Sequence, residues 1–247
     1  MSVDPLNIGV SGLAAYAEAV DVTANNIANA GSTGFQAQSV NLQNQTGGGV
    51  AVATITSNSA QGSSESTDQS TSLSISGSGF FVLQSPGGIP TYTRDGNFSL
   101  DANGTLVDPS TGLDVMVIDA AGAAGPLQVP PGVQSISIGA NGAVYGVYAN
   151  GQATALGTVA LATFHNGGGL ARVSGGYRAT AASGAAQVGR AGSAGYGTLH
   201  SGMLESSNVD VSGEFVKMIA AKTAFDANAK SLEVASSTLK TIVDLPD

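Results

Sequence analysis

A chain of 247 residues has room for one to two domains and a real hydrophobic core. It carries a net charge of -9, only 10% charged and 5% aromatic residues, 35 Gly and no Cys. The acid excess argues against nucleic acid and anionic membrane surfaces, and the missing thiols exclude disulfides, thiol catalysis and thiolate metal sites; so few charges leave a surface of small polar residues suited to facing other protein.

At the N-terminal end Leu6, Val10, Leu13, Ala17, Val20, Ala24 and Ile27 recur at alternating steps of four and three, which predicts one helix with a heptad seam. Asp4-Pro5 supplies its cap and first position, and Gly31 to Gly34 ends it. This end has no basic region before its apolar stretch and carries Asp4, Glu18 and Asp21, so no cleavable signal peptide is expected. No run approaches the length of about 18 apolar residues that a membrane span needs.

Residues 43 to 76 are rich in Gly, Ser, Thr and Gln and read as an extended connector, with one strand candidate near Val50 to Ile55. From Leu73 to Thr180 the period becomes 2 and turn signals recur: Pro86-Gly87-Gly88, Asp95-Gly96, Asn103-Gly104, Asp108-Pro109, Asn141-Gly142 and Asn150-Gly151. Ala-Asn-Gly at 102, 140 and 149 predicts successive hairpins. The Gly/Ala/Ser-rich stretch 181–197 reads as a second connector.

The C-terminal end repeats the heptad pattern through Val211, Phe215, Met218, Lys222, Phe225, Ala229, Leu232, Ser236, Leu239 and Val243. A continuous helix over that span is roughly 50 Å long. Asp210 caps it, Glu214 and Lys240 suit its dipole, and Asp226 with Lys230 makes an i,i+4 pair. The predicted fold class is α+β, with long terminal helices pairing as a coiled coil and an antiparallel β-rich domain in the middle of the chain. Residues 1–35 and 205–247 form the coiled-coil domain, 36–72 and 181–204 are connectors, and 73–180 is the β domain. Ala14, Ala15, Ala19, Ala28, Ala220, Ala221, Ala224 and Ala227 let further helices approach closely, so both seams are expected to pack between subunits as well.

The chain carries no motif that points to chemistry. There is no Gly-Lys-Ser/Thr phosphate loop, and Gly77-Ser78-Gly79 lacks the third glycine and the helix of a dinucleotide loop, so a strand-entry turn is expected. His165 and His200 have no third ligand at metal spacing. Asp95, Asp101 and Asp108 sit beside Gly or Pro or in Asn-Gly turns, where their side chains cap turns rather than bind calcium. No serine elbow has a histidine partner. No catalytic, cofactor or metal residues and no enzymatic activity are expected.

The segment from Ser11 to Phe35, SGLAAYAEAVDVTANNIANAGSTGF, resembles the N-terminal signature of bacterial flagellar rod and hook proteins. GMLESSNVDVS at 202–212 with EFVKMI at 214–219 resembles the family's C-terminal motif, and Gly79-Phe80-Phe81, Tyr92 to Phe98 and Leu100 to Val107 resemble its β domain. Asn25, Asn26 and Asn29 match N-N-x-A-N, which implies capping or bridging of backbone groups at the helix end. Gly34 and Phe35 match the family's turn and anchor, and Asn208 and Asp210 match the start of the second helix; Gln36 departs from the usual Lys.

The resemblance implies a structural subunit of the flagellar basal-body rod that transmits torque from motor to hook. Its terminal helices would pair as an inner coiled coil and stack helically around a central export channel, with the β domain outside. Implied partners are copies of itself, other rod and hook proteins, and the type III export apparatus, which exports the chain without a cleaved signal. No nucleic acid, small-molecule substrate, cofactor or direct membrane insertion is implied. The length favours a rod protein, while the roughly 40 residues between Phe35 and Gly77 also suit hook-type chains. A compact hook subunit is the alternative, and a secreted β-rich adhesive or carbohydrate-binding protein a more distant one.

Overall fold

Runs rich in Ala and Leu without interior proline favour helix. In the computed structural model, which describes residues 5–84 and 88–243, they form α1 (Pro5–Ala28) and α2 (Val211–Val243). The expected cap Asp4 and the turn residues Pro86 and Gly87 lie outside the described residues. Asp210 caps α2: its Oδ1 accepts from Ser212 N (3.1 Å) and its carbonyl from Glu214 N (2.9 Å). The expected Asp226–Lys230 pair does not form. Asp226 binds Lys222 and Lys230 binds Glu233, each at 2.7 Å. Exposed pairs of this kind differ by only a few tenths of a kcal/mol, so patterning cannot choose among them.

The chain divides into two compact units, one of Met1–Ala30, Gln36–Asn58 and Val209–Asp247, the other of Gly31–Phe35 and Ser59–Asn208. In the first, α1 and α2 lie antiparallel, with Gly9 against Leu232, Gly12 against Asn228 and Asn26 against Glu214. Residues 38–57, read as connector apart from one strand candidate, form an antiparallel hairpin of β1 (Gln38–Asn44) and β2 (Val50–Ser57). Pairing Val40 with Ile55 and Leu42 with Val52 gives the ribbon an apolar face, while Asn41 Nδ2 donates to Thr54 and Thr56 hydroxyls. Ser11 Oγ accepts from Val50 N (3.2 Å), tying the hairpin to α1.

The second unit holds β3 (Ser64–Ser66), β4 (Leu73–Ser76), β5 (Phe80–Gln84), β6 (Thr91–Thr93), β7 (Ser99–Leu100), β8 (Leu106–Val107), β9 (Asp114–Ile118) and β10 (Ala124–Pro126). It continues with β11 (Val133–Ile138), β12 (Ala143–Tyr148), β13 (Ala153–Thr163), β14 (Ala171–Val173), β15 (Gly176–Arg178), β16 (Gln187–Arg190), β17 (Thr198–Ser201) and β18 (Met203–Glu205). The main sheet runs β11-β12-β13-β9-β5-β6-β15-β14, antiparallel at every step. Asn141-Gly142 and Asn150-Gly151 turn β11 into β12 and β12 into β13, as their spacing predicts, with Gly142 and Gly151 at φ +76° and +80°.

Alternation decides what each face buries. Phe81 and Leu83 of β5, Val115 and Val117 of β9, and Val159 and Leu161 of β13 enter one core with Phe98, Leu106 and Leu127. Their neighbours Phe80, Val82, Met116, Ala160 and Ala162 enter a second core with Tyr92 and Tyr177. Both faces of the central strands are therefore covered, which explains the unbroken apolar run Phe80 to Leu83. The stretch 181–204, also expected as connector, contributes β16, β17 and β18, which pair with β13, β4 and β3. One buried residue, Leu199, anchors β17 in the first core; so thin an apolar signal gives no period to read.

Candidate functional site

The helical unit places small residues, not the largest apolar ones, at the contact between its helices. Gly9, Gly12, Ala15 and Val22 are buried on α1, and a Cβ at Gly12 would strike the Asn228 side chain. Glycine here brings the two backbones close. Of the expected α1 seam, Val10 and Ala24 are exposed, and Leu6, Leu13, Ala17, Val20 and Ile27 are half-buried. On α2, Val211, Phe215, Leu239 and Val243 are exposed, and Met218, Phe225, Ala229 and Leu232 are half-buried. The buried line instead passes through Glu214 and Ala221, with Asn228 half-buried between the helices. Within one copy the stripe with least side chain forms the contact, because it lets the backbones approach. Phe215, Val216 and Ile219 remain 50%, 68% and 66% exposed.

At the end of α1 a buried polar cluster joins three elements. Asn26, fully buried, donates through Nδ2 to Gln38 O (2.7 Å) and Glu214 Oε2 (2.9 Å), and its Oδ1 accepts from Gln38 N (2.9 Å). Lys217 Nζ meets the other Glu214 oxygen at 2.6 Å. The amide so substitutes for a strand partner at the first residue of β1. Asn25 is exposed and its carbonyl accepts from Asn29 N (3.1 Å) and Nδ2 (2.9 Å). Beside this cluster is a cleft of about 310 Å³ lined by Ala19, Thr23, Ser39, Val40, Lys217 and Ala221 among others.

In the β unit the turn after α1 is held by an ion pair. Gly34 takes φ +64°, and a Cβ there would strike the Arg94 carbonyl carbon and Asp95 nitrogen. Gly34 N donates to Glu205 O (2.7 Å), and Asn208 N to Phe35 O (3.2 Å). Arg172 stacks on the Phe35 ring, 4.0 Å from its centroid. Beneath the turn, Arg94 Nη1 and Glu205 Oε2 lie 3.0 Å apart with both side chains at least nine-tenths buried. Arg94 Nη2 donates to Gly77 O (2.8 Å), and Glu205 Oε1 accepts from Gly62 N (3.1 Å). Asn208 Nδ2 donates to Ala60 O (2.7 Å). Gly34, Phe35 and Asn208 are legible from their motifs, whereas Arg94 and Glu205 are not: both lie in family-like segments, yet 111 residues separate them and no spacing rule joins them.

The aspartates expected to cap turns do so. Asp101 Oδ1 accepts from Thr105 N (2.7 Å) and Asn103 N (2.9 Å), and Asp108 Oδ1 from Ser110 N (2.8 Å). The Thr105 N–H foremost holds the Asp101 carboxyl below its usual range. Burial pushes Asp95 up, against the Asn97 N–H, and Asp108 adds to the rise. Burial also raises Tyr92. His165 and His200 are exposed, and among the described residues no three His, Asp or Glu side chains are grouped to hold a metal. Among those residues no helix is long and apolar enough to cross a membrane.

Open apolar stripes on paired terminal helices, and polar clamps that hold backbone rather than a ligand, are the marks of a structural protein that assembles. Residues 6–36 match the family described as flagella basal body rod protein. Residues 74–146 match the flagellar hook protein FlgE/F/G D1 domain, and 200–245 the C-terminal part of flagellar basal body rod FlgEFG proteins. The chain is 36% identical to the flagellar basal-body rod protein FlgG of Bacillus subtilis, over 96% of this chain and 97% of that one. It is 31% identical to FlgG of Caulobacter vibrioides, over 95% and 96%. The hook protein FlgE of Escherichia coli is 41% identical, over 47% of this chain and 29% of its own. The chain belongs to the flagellar basal-body rod and hook protein family.

Proposed function

We propose that the chain is a structural subunit of the flagellar basal-body rod, polymerising helically around the export channel and carrying torque from motor to hook. The exposed apolar side chains on both helices carry this reading: Val10 on α1 and Phe215, Val216 and Ile219 on α2 bury little within one copy. Their place is against helices of neighbouring copies and of other rod and hook proteins, where α1 and α2 act as a coiled coil. Leu6, Leu13, Val20, Ile27, Met218, Phe225 and Leu232 lie at the border of the two contacts. Export by the type III apparatus completes the reading. The near full-length match to rod proteins, against half the chain for hook proteins, favours rod over hook.

The test is substitution at positions that are open in the isolated chain. Val10→Asp and Phe215→Asp place a charge on the assembly face without disturbing the buried side of either helix. In a strain lacking its own copy, both variants are expected to fold as monomers yet fail to enter basal bodies or restore motility. Normal rods from both would overturn the proposal.

A further inference from the structure

Four Asn-Gly steps occur in the chain, at Asn103, Asn141, Asn150 and Asn166. Such steps are chemically labile, because a glycine amide nitrogen meets no side chain on its way to the preceding Asn Cγ. The fold treats them unequally. In three of them the attacking nitrogen is committed to a turn: Gly104 N donates to Asp101 O (3.1 Å), Gly142 N to Gly139 O (2.8 Å) and Gly151 N to Tyr148 O (2.9 Å). Their asparagine side chains are held as well. Asn103 Nδ2 donates to Asp101 Oδ2, Asn141 Oδ1 accepts from Ala143 N, and Asn150 Oδ1 accepts from Gln152 N.

Asn166 differs. It is exposed and precedes a single 3-10 turn, Gly167–Gly169, whose first N–H is an orphan donor. Among the described residues nothing accepts from Gly167 N, and a Cβ at Gly167 would meet no atom within 4 Å. The Asn166 side chain accepts no capping bond, and its Nδ2 donates to Ala182 O (3.1 Å). Swinging the Asn166 carbonyl from ψ 92° to bring the nitrogen onto Cγ breaks one bond of that carbonyl, from Gly169 N (3.1 Å). The same rotation in a hairpin opens the turn that sets the register of two strands.

We propose that Asn166 is a site of spontaneous deamidation, selected by the fold from among the four Asn-Gly steps. Gly167 N gives up its proton to water or hydroxide and bonds to Asn166 Cγ, while the Cγ–Nδ2 bond breaks and ammonia leaves. The resulting succinimide takes up one water. Opening at the side-chain bond gives Asp, and opening at the main-chain bond gives isoaspartate. Either product adds one negative charge to a chain of net -9.

The experiment incubates the full chain, folded and in denaturant, in mildly alkaline buffer and follows the four peptides by mass spectrometry, with chromatography separating the Asp and isoaspartyl forms. In the folded chain Asn166 is expected to convert at least about tenfold faster than each of the other three, equivalent to about 1.4 kcal/mol of local opening. In denaturant the four are expected to converge, and Asn166→Gln removes the fast phase. A folded-state advantage below tenfold overturns the proposal, and so does the same advantage persisting in denaturant.

Discussion

Replacing Glu205 with Leu keeps roughly the side-chain volume and removes the carboxylate facing Arg94. The guanidinium stays in a site where both partners are at least nine-tenths buried, losing its 3.0 Å contact at Nη1. Arg94 Nε already has no partner among the described residues, so the variant leaves only the bond from Nη2 to Gly77 O. Gly62 N loses its acceptor too. Breaking one side of such a buried pair costs about 3–5 kcal/mol. For a unit of this size that corresponds to a fall in Tm of about 6–20 °C. Thermal unfolding followed by circular dichroism in the β region measures it. The double variant Arg94→Met/Glu205→Leu removes both charges and is expected to recover much of the loss, though not the Gly77 bond or the stacking of Arg94 on Phe80. A loss under about 1 kcal/mol for Glu205→Leu, or a double variant as unstable as the two single losses summed, would refute the argument.

Asn26→Leu removes the bonds to both backbone groups of Gln38 and orphans Glu214 Oε2; a loss of about 2–6 kcal/mol, from two buried groups at roughly 1–3 each, is expected in urea unfolding, with earlier proteolysis of residues 38–57. Gly34→Ala forces a left-handed Cβ into the Arg94–Asp95 backbone and is expected to exceed the roughly 1–2 kcal/mol of the strain alone, whereas Gly112→Ala, at φ +69° with open space, stays within it. Asp101, whose folded value is lowered, adds stability above its ordinary 3.8 that disappears as pH falls through the folded value; Asp101→Asn is expected to be less stable at neutral pH, with the gap closing in acid. Asp95 is raised, so its contribution is fully present below 3.8 and lost as pH rises through the folded value; Asp95→Asn keeps an acceptor for Asn97 N and is expected to be more stable than wild type at neutral pH, the gap again closing in acid.

Elements set by local chemistry were legible in the chain. Asp210 caps α2 because an Asp at that position serves the adjacent N–H groups whatever lies elsewhere, and the Asn-Gly turns at 141 and 150 reverse the chain because glycine relieves their positive φ. The β-rich stretch from Leu73 to Thr180 announced itself by period 2 and turn signals, apart from the unbroken run Phe80 to Leu83, and the terminal helices by their heptads. β1 and β17 did not: β1 starts against the Asn26 amide of α1, and β17 depends on β4, far back along the chain, and on the single buried residue Leu199.

The start of α2, the Asn-Gly hairpin turns and the motifs that tie the chain to flagellar axial proteins were readable from the residues alone, since each depends on residues within a few positions of one another. Only the tertiary structure decided which side of α1 meets α2, because close approach at Gly9 and Gly12 depends on two surfaces at once. It likewise decided that Arg94 and Glu205 are a pair and that Asn26 holds β1, and it set Asn166 apart from three identical dipeptides. Burial and hydrogen-bond geometry belong to the folded chain, and neither is written in spacing.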